Sequence, residues 1–332
     1  MNTMTTRKGR DLCSQVLSAV QGADSVLLFC HISPDGDTLG SAMALRLRLA
    51  AMGKSVRVLL DGEVPSSLDY LLKFGEVEKP GEPWAADLAL AVDVSCRERL
   101  GACEKAFDAA RRTALVDHHG SNPGFADLSW IDGDAPATAV VVYRLFEAMG
   151  MPVSKDEAIC LYTALSTDTG NFLYASTNAE SFRIMSALME AGLPLAEYGR
   201  RLFRVKEVPF VRLLGRALPS LRLTCGGRVA GLRLTAAQME QAGARSAHAD
   251  GMVDYAIDLE GVSLAYFARE TEDGQVKVSL RALEPYRVDE VAVRFGGGGH
   301  RLASGLTVKR PLEEIASQIE AALADVLGSA EE

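Results

Sequence analysis

Four short, mainly apolar runs rich in Leu or β-branched residues, at 25–30, 54–60, 87–94 and 113–117, constrain this chain more than any other feature. Leu88-Ala89-Leu90-Ala91-Val92 carries no polar residue on either face. Strands buried on both faces read this way, whereas strands with one wet face alternate. Helical stretches at 38–52, 66–74 and 97–112 separate the runs. Strand, helix and strand at this spacing predict βαβ units and a parallel sheet. A mostly helical section follows. Pro136 to Met149 is closed by Gly150, and Ser154 with Glu157 forms a capping box for a helix ending near Ser166. Thr177 and Glu180 cap another, which ends at Gly192.

From 193 the pattern changes. Residues 193–215 are arginine-rich without a strand signal, and read as a helical connector. Residues 216–332 read as a smaller α+β unit. Its strands are 227–234, 262–268 and 275–280, the last two joined by the turn Glu272-Asp273-Gly274. Its helices are 235–242, 288–295 and the amphipathic 312–327. A length of 332 residues accommodates about two domains. The division expected is 1–192 for a catalytic α/β domain, the connector, and 216–332 for substrate binding.

Composition excludes several partners. No window approaches 18 uncharged apolar residues, so no membrane span is expected, and the basic start of the chain is not followed by an apolar signal core. A cytoplasmic protein is the default reading. The six cysteines lack Cys-x-x-Cys spacing, which fits reduced thiols and argues against a zinc knuckle. A net charge of −9 argues against a grip on long nucleic acid, which needs a basic track. Any anionic substrate should be short.

The polar residues that follow the apolar runs carry the chemistry. His31-Ile32-Ser33-Pro34-Asp35-Gly36-Asp37-Thr38 comes directly after the first run. Taken alone it reads as an Asp-Gly turn with a helix N-cap at Asp37 or Thr38, in which Gly36 allows the turn that aims Asp35 and Asp37 apart. Asp93 ends the third run, Asp117-His118-His119 follows the fourth, and Asp168 follows the helix expected to end at Ser166. In open α/β sheets, sites form beyond the carboxyl ends of the strands. Carboxylates mixed with imidazoles, and no thiolate, suit Mn²⁺, Mg²⁺ or Co²⁺ better than a structural zinc.

These four motifs resemble those of the DHH phosphoesterase family. Phe295-Gly296-Gly297-Gly298-Gly299-His300 with Ala303-Ser304-Gly305 resembles the glycine-rich signature of the C-terminal domain associated with it. Within the family, length and spacing are most similar to the nanoRNase/pAp phosphatase group. The resemblance implies an active site in the cleft between two domains, holding two Mn²⁺ ions, with Mg²⁺ or Co²⁺ as substitutes. One ion would be held by His31, Asp35 and Asp93, the other by Asp37, Asp93, His118 and Asp168. Asp93 would bridge them, and a water polarised between the ions would be the nucleophile. Asp117 would orient a histidine, and His119 would lie against the substrate phosphate.

The implied enzyme is a two-metal phosphoesterase that hydrolyses short oligoribonucleotides to 5′-mononucleotides. It also removes the 3′-phosphate of adenosine 3′,5′-bisphosphate (pAp). Gly297, Gly298 and Gly299 bring backbone N–H groups close to an anion, or else form a flexible connector. His300 beside them favours binding. Arg281 offers a planar fork to a phosphate, or else is a solvated strand end. His248, without such neighbours, is expected on the surface. A homodimer is compatible with the sequence. The rival readings are a cyclic-dinucleotide phosphodiesterase, a manganese pyrophosphatase and a non-catalytic nucleotide sensor.

Overall fold

The structure, a computed structural model, describes residues 7–81 and 84–329. The chain divides into two compact units, Met1–Val205 and Lys206–Glu332. The arginine-rich stretch at 193–215 is therefore shared between them.

In the first unit α1 (Arg7–Gly22) precedes β1 (Ser25–Phe29), α2 (Gly36–Ala51), β2 (Ser55–Leu59), β3 (Val77–Glu78) and β4 (Leu88–Val92). Then come α3 (Glu104–Asp108), β5 (Thr113–Asp117) and β6 (Leu128–Ile131). Four helices complete the unit: α4 (Thr138–Met149), α5 (Lys155–Asp168), α6 (Ala179–Glu190) and α7 (Leu195–Phe203). The sheet is six-stranded in the order β3-β2-β1-β4-β5-β6, and every pairing is parallel. The order reverses between β1 and β4, which opens a crevice at the carboxyl ends of those two strands. Cores on both faces of the sheet explain the uninterrupted apolar runs: Leu28 and Leu90 bury on one face, Phe29 and Ala91 on the other.

Several local expectations are corrected. The helix expected over 97–112 is broken at Gly101, whose φ of 57° is left-handed. A Cβ there would stand 2.4 Å from the Asp61 carboxylate and 2.8 Å from Ile32, so only glycine fits and only α3 is α-helical. α6 is capped by Asn178 and not by Thr177, and Glu180 turns away to pair with the buried Arg144 at 2.6 and 2.8 Å. α5 runs on to Asp168 itself. Strand β6 and helix α1 lie outside the elements expected, although Cys13, Val16 and Val20 mark an apolar helical face.

α2 lies antiparallel against α5. Neither Gly36 nor Gly40 has a left-handed backbone; both are glycine because the partner helix is too close. A Cβ on Gly36 would meet Thr167 Oγ1 at 2.3 Å, and one on Gly40 would meet the Cys160 carbonyl at 2.5 Å. The reading of Gly36 as the residue that makes a turn is thus corrected: it is the first residue of α2, and the turn lies before it. At the far end, buried Arg48 forms a bidentate pair with Glu157 at 2.7 and 2.9 Å. This helix pair brings the start of α2 beside the end of α5.

The second unit begins with α8 (Val208–Ala217), β7 (Arg222–Thr224), β8 (Val229–Leu234), α9 (Ala236–Gln241) and α10 (Asp254–Ile257). It continues through β9 (Leu264–Glu270), β10 (Val276–Ala282), α11 (Asp289–Arg294), β11 (Gly298–His300), β12 (Ala303–Val308) and α12 (Leu312–Ser329). Its sheet order is β11-β12-β10-β9-β8-β7, with β8 and β9 parallel and the other pairs antiparallel. No helix among the described residues is long and apolar enough to cross a membrane.

Gly40→Ala should lower unfolding stability by about 1–3 kcal/mol, the usual cost of overpacking where a backbone neighbour cannot yield. Urea denaturation measures it. An unchanged midpoint would mean that α2 and α5 are not in backbone contact.

Candidate metal centre

The first unit gathers its acids and histidines at the carboxyl ends of β1, β4 and β5. Asp35 is the N-cap of α2, its Oδ1 accepting from the N–H groups of Asp37 and Thr38 at 3.0 and 3.1 Å. The cap expected at Asp37 or Thr38 is therefore two or three residues earlier, which leaves both of those side chains free for other work. Thr38 Oγ1 donates to the Val92 carbonyl at 2.8 Å and fastens α2 to the end of β4. Asp93 then takes a left-handed backbone with φ of 62°. For a non-glycine residue that conformation is costly and persists only where the surroundings enforce it.

Asp37 is buried and accepts from another helix. Its Oδ2 receives the Thr138 N–H at 2.6 Å, and its Oδ1 receives the Ala139 N–H at 3.0 Å and Ser41 Oγ at 3.1 Å. Ala137, the N-cap of α4, has no side chain to satisfy these donors, so Asp37 does it from α2. Thr138 Oγ1 in turn donates to Asp93 Oδ1 at 2.9 Å.

Three sets of side chains converge, the ligand atoms of each within 4.8 Å of one another: His31, Asp35 and Asp93; Asp37, His118 and Asp168; Asp93, His118 and His119. His31 Nε2 stands 3.4 Å from Asp35 and 3.6 Å from Asp93. His118 Nε2 stands 3.2, 3.7 and 3.9 Å from Asp168, Asp93 and Asp37. His118 Nδ1 lies 3.2 Å from the Ala135 carbonyl, which as an acceptor fixes the proton there and leaves Nε2 with its lone pair. Asp117 stands apart from these sets. Its Oδ1 accepts from the His118 N–H at 2.8 Å and pairs with His119 Nδ1 at 2.7 Å, while Asn122 Nδ2 donates to its Oδ2 at 2.5 Å.

The electrostatics of the cluster favour binding of a cation. Burial, with the charge of Asp93 next, pushes the Asp37 carboxyl well above the usual carboxylate range. Burial likewise pushes Asp168 up to about 6, with the Asp93 and Asp35 charges adding to it. His31 is pushed down by burial, but hydrogen bonds to Asp35 and Asp93 outweigh this and hold it up at about 9. Carboxylates this close repel one another, and a divalent cation would reverse that penalty. The donor set of oxygens and imidazole nitrogens, without a thiolate, is of the kind hard and borderline cations take.

Sequence reasoning had not singled out Arg99, Asn122 or Thr138. Arg99 Nη2 lies 2.7 Å from His31 Nδ1, and its carbonyl accepts the Ile32 N–H at 2.9 Å. None of the three belongs to an apolar period or a ligand-type cluster, so no pattern marked them.

In the second unit, the glycine stretch is not a loose loop. Gly298–His300 form edge strand β11, paired with β12. A Cβ on Gly297 would stand 2.2 Å from the Gly305 carbonyl, and one on Gly299 2.6 Å from Ser304 Cα, so close backbone approach explains both glycines. Gly298 and His300 are exposed. Arg281 on β10 is half-buried, its Nε 3.1 Å from Asp254 Oδ1. His248 is buried and not on the surface as expected: its Nδ1 accepts the Arg245 N–H at 2.9 Å and its Nε2 lies 3.2 Å from Glu207.

Comparison with known proteins agrees with this geometry. Residues 25–165 match the DHH family N-terminal domain, and residues 227–330 match the DHHA1 domain. The chain is 34% identical to the bifunctional oligoribonuclease and PAP phosphatase NrnA of Thermus thermophilus, over 90% of this chain and 88% of that protein. It is 24% identical to the protein of the same name from Bacillus subtilis, over 89% of this chain and 93% of that one. Among solved structures, an exopolyphosphatase-related protein from Bacteroides fragilis superposes with a TM-score of 0.88 at 25% identity, over 97% of this chain and 98% of that chain. The chain belongs to the DHH family of metal-dependent phosphoesterases.

Proposed function

We propose that this enzyme hydrolyses short oligoribonucleotides to 5′-mononucleotides, removes the 3′-phosphate of pAp, and uses two Mn²⁺ ions to do so. The observation that carries the reading is the convergence of the His31, Asp35 and Asp93 set with the Asp37, His118 and Asp168 set, Asp93 also lying within reach of His118, in a chain alike over most of its length to proteins named for both activities.

His31, Asp35 and Asp93 hold one cation, and Asp37, Asp93, His118 and Asp168 the other. Bound there, the cations supply Lewis acidity toward the phosphoryl oxygens and lower the pKa of an attacking water. The chain's own residues do the rest. Thr138 fixes the Asp93 carboxylate through its hydroxyl, 2.9 Å away. Ala135 fixes the His118 tautomer through its carbonyl. Asp117 holds His119 by its Nδ1, so that Nε2 faces the phosphoryl oxygens and donates to the charge that develops on them. His119 is suited to donate because its hydrogen bond to Asp117 raises its pKa. In the second unit Arg281 on β10, Gly297, and Gly298, Gly299 and His300 of the edge strand β11 grip the nucleotide; among the described residues no strand pairs with the outer edge of β11.

A second reading, cyclic-dinucleotide hydrolysis, is favoured by 24% identity to the cyclic-di-AMP phosphodiesterase PdeA of Listeria monocytogenes, over 90% of this chain and 47% of that protein. A panel of pAp, a diribonucleotide, a five-nucleotide RNA, cyclic di-AMP and pyrophosphate with Mn²⁺ separates the readings. The expected order places the linear RNAs and pAp well ahead. Fastest turnover of cyclic di-AMP would transfer the assignment to the second reading. Asp93→Ala should abolish turnover of every substrate, since it removes a ligand from both cations at once; wild-type turnover at saturating Mn²⁺ would end the two-cation assignment.

Protons and cations compete for these carboxyls. A carboxyl raised to about 6, as Asp168 is, binds protons more tightly in the folded chain than in the unfolded one. It therefore stabilises the cation-free fold at low pH, and that contribution is lost as pH rises through its folded value. The rise in Tm on adding Mn²⁺ should accordingly be small near pH 5 and large near pH 8. A rise independent of pH would place the cation elsewhere.

His300→Ala and Arg281→Ala should each weaken kcat/KM for diribonucleotide and pAp by about 1–3 kcal/mol, the worth of a charge-assisted hydrogen bond. Hydrolysis of p-nitrophenyl phosphate should change far less. If both substrates fall together at unchanged metal content, the glycine strand belongs to the chemistry and not to nucleotide binding.

A further inference from the structure

The Asp117–His119 pair cannot hold its geometry by itself. Asp117 is buried, and its Oδ1 is already engaged by the His118 N–H and by His119 Nδ1. Rotation about the last side-chain bond of Asp117 would exchange its two oxygens and carry His119 with it. Asn122 Nδ2, 2.5 Å from Oδ2, opposes that rotation. The same Nδ2 also donates to the Val94 carbonyl at 2.8 Å, and Asn122 Oδ1 accepts the Gly124 N–H at 2.9 Å. Only one orientation of the amide satisfies all three partners, because the first two are acceptors and the third is a donor. The Asn122 N–H closes the turn by donating to the His119 carbonyl at 2.9 Å.

We propose that Asn122 is a positioning residue, which locks the Asp117 carboxylate and thereby aims His119, and which ties this pair to the strand end that carries Asp93. Val94 follows Asp93 directly, so one buried amide bridges the loop after β4 and the loop after β5. Asn122 forms its hydrogen bonds with Asp117 and with backbone groups of Val94, Gly124 and His119, none of them a metal-ligand atom. Its effect therefore passes through His119. This rests on the reading that His119 donates to the phosphoryl group.

The informative variant is Asn122→Asp, which keeps the size of the side chain and the acceptor for Gly124 but turns an acceptor toward Asp117. With diribonucleotide and saturating Mn²⁺, kcat should fall about 10- to 100-fold, KM should stay within about 2-fold, and bound metal should stay close to wild type, while Tm falls because a second buried acceptor now faces Asp117. Residues acting in series are not additive, so adding Asn122→Asp to His119→Ala should cost no further activity. Independent losses in the double variant, or an equal loss of bound metal, would overturn the proposal. A readout that does not depend on catalysis is the ring Nδ1–H proton signal of His119 in ¹⁵N-histidine-labelled, Mg²⁺-loaded protein, identified by its absence in His119→Ala. It should be present in wild type and lost or displaced in Asn122→Asp; a signal unchanged by the substitution would sink the idea. If His119→Ala turns over like wild type, the role given to His119 fails instead, and the proton signal still decides whether Asn122 positions it.

Discussion

The backbone-close contact of α2 with α5 is the constraint from which the site follows. Two glycines one helical turn apart remove the side chains that would hold the helices apart, and Arg48 with Glu157 closes the other end. The contact fixes more than a core. α2 begins beside the last turn of α5, so Asp35 and Asp37 arrive next to Asp168, though more than a hundred residues separate them in the chain. Thr38 then carries the arrangement into the sheet through its hydrogen bond to Val92.

Around that frame the fold holds negative charge that it only partly neutralises. Asp37 receives two N–H groups at the start of α4 and a serine hydroxyl, and Asp93 receives a threonine hydroxyl. Hydrogen bonds of this kind position carboxylates but do not cancel the repulsion between them. What remains is a preorganised anionic cluster, in which the start of α4 holds Asp37 and Asp93 together through Thr138. Asp93, held in a left-handed backbone at the strand end, is the member on which that strain falls.

The doubly covered parallel sheet was legible in the sequence because burial on both faces leaves an unmistakable apolar run, as at 88–92. The ligand-type residues were legible because Asp and His are rare at the ends of such runs unless something holds them, and the structure does bring His31, Asp35, Asp37, Asp93, His118 and Asp168 together. Less visible was what depends on contact between distant segments. Gly36 looked like a turn residue, whereas Thr167 across the helix pair dictates it. Glu180 looked like half of a capping box until Arg144 recruited it. His248 looked exposed because its partners, Arg245 and Glu207, are a backbone amide and a residue far away in sequence. Asn122 looked like a loop residue because a single buried amide leaves no period to read.

The strand order has a consequence for how the protein comes into being. β1 is made first, β2 and β3 add to one side of it, and β4, β5 and β6 then add to the other. Until Val92 has been synthesised, the β1 edge that β4 will cover has no partner within the chain. His31 and Asp35 leave the ribosome early, but their set is complete only when Asp93 follows, and the set of Asp37 and His118 only when Asp168 does. Pairing this remote in sequence is slow and leaves strand edges waiting. A partial chain thus presents carboxylates and an imidazole without the geometry to hold ions, and the metal centre is among the last features of the first unit to exist.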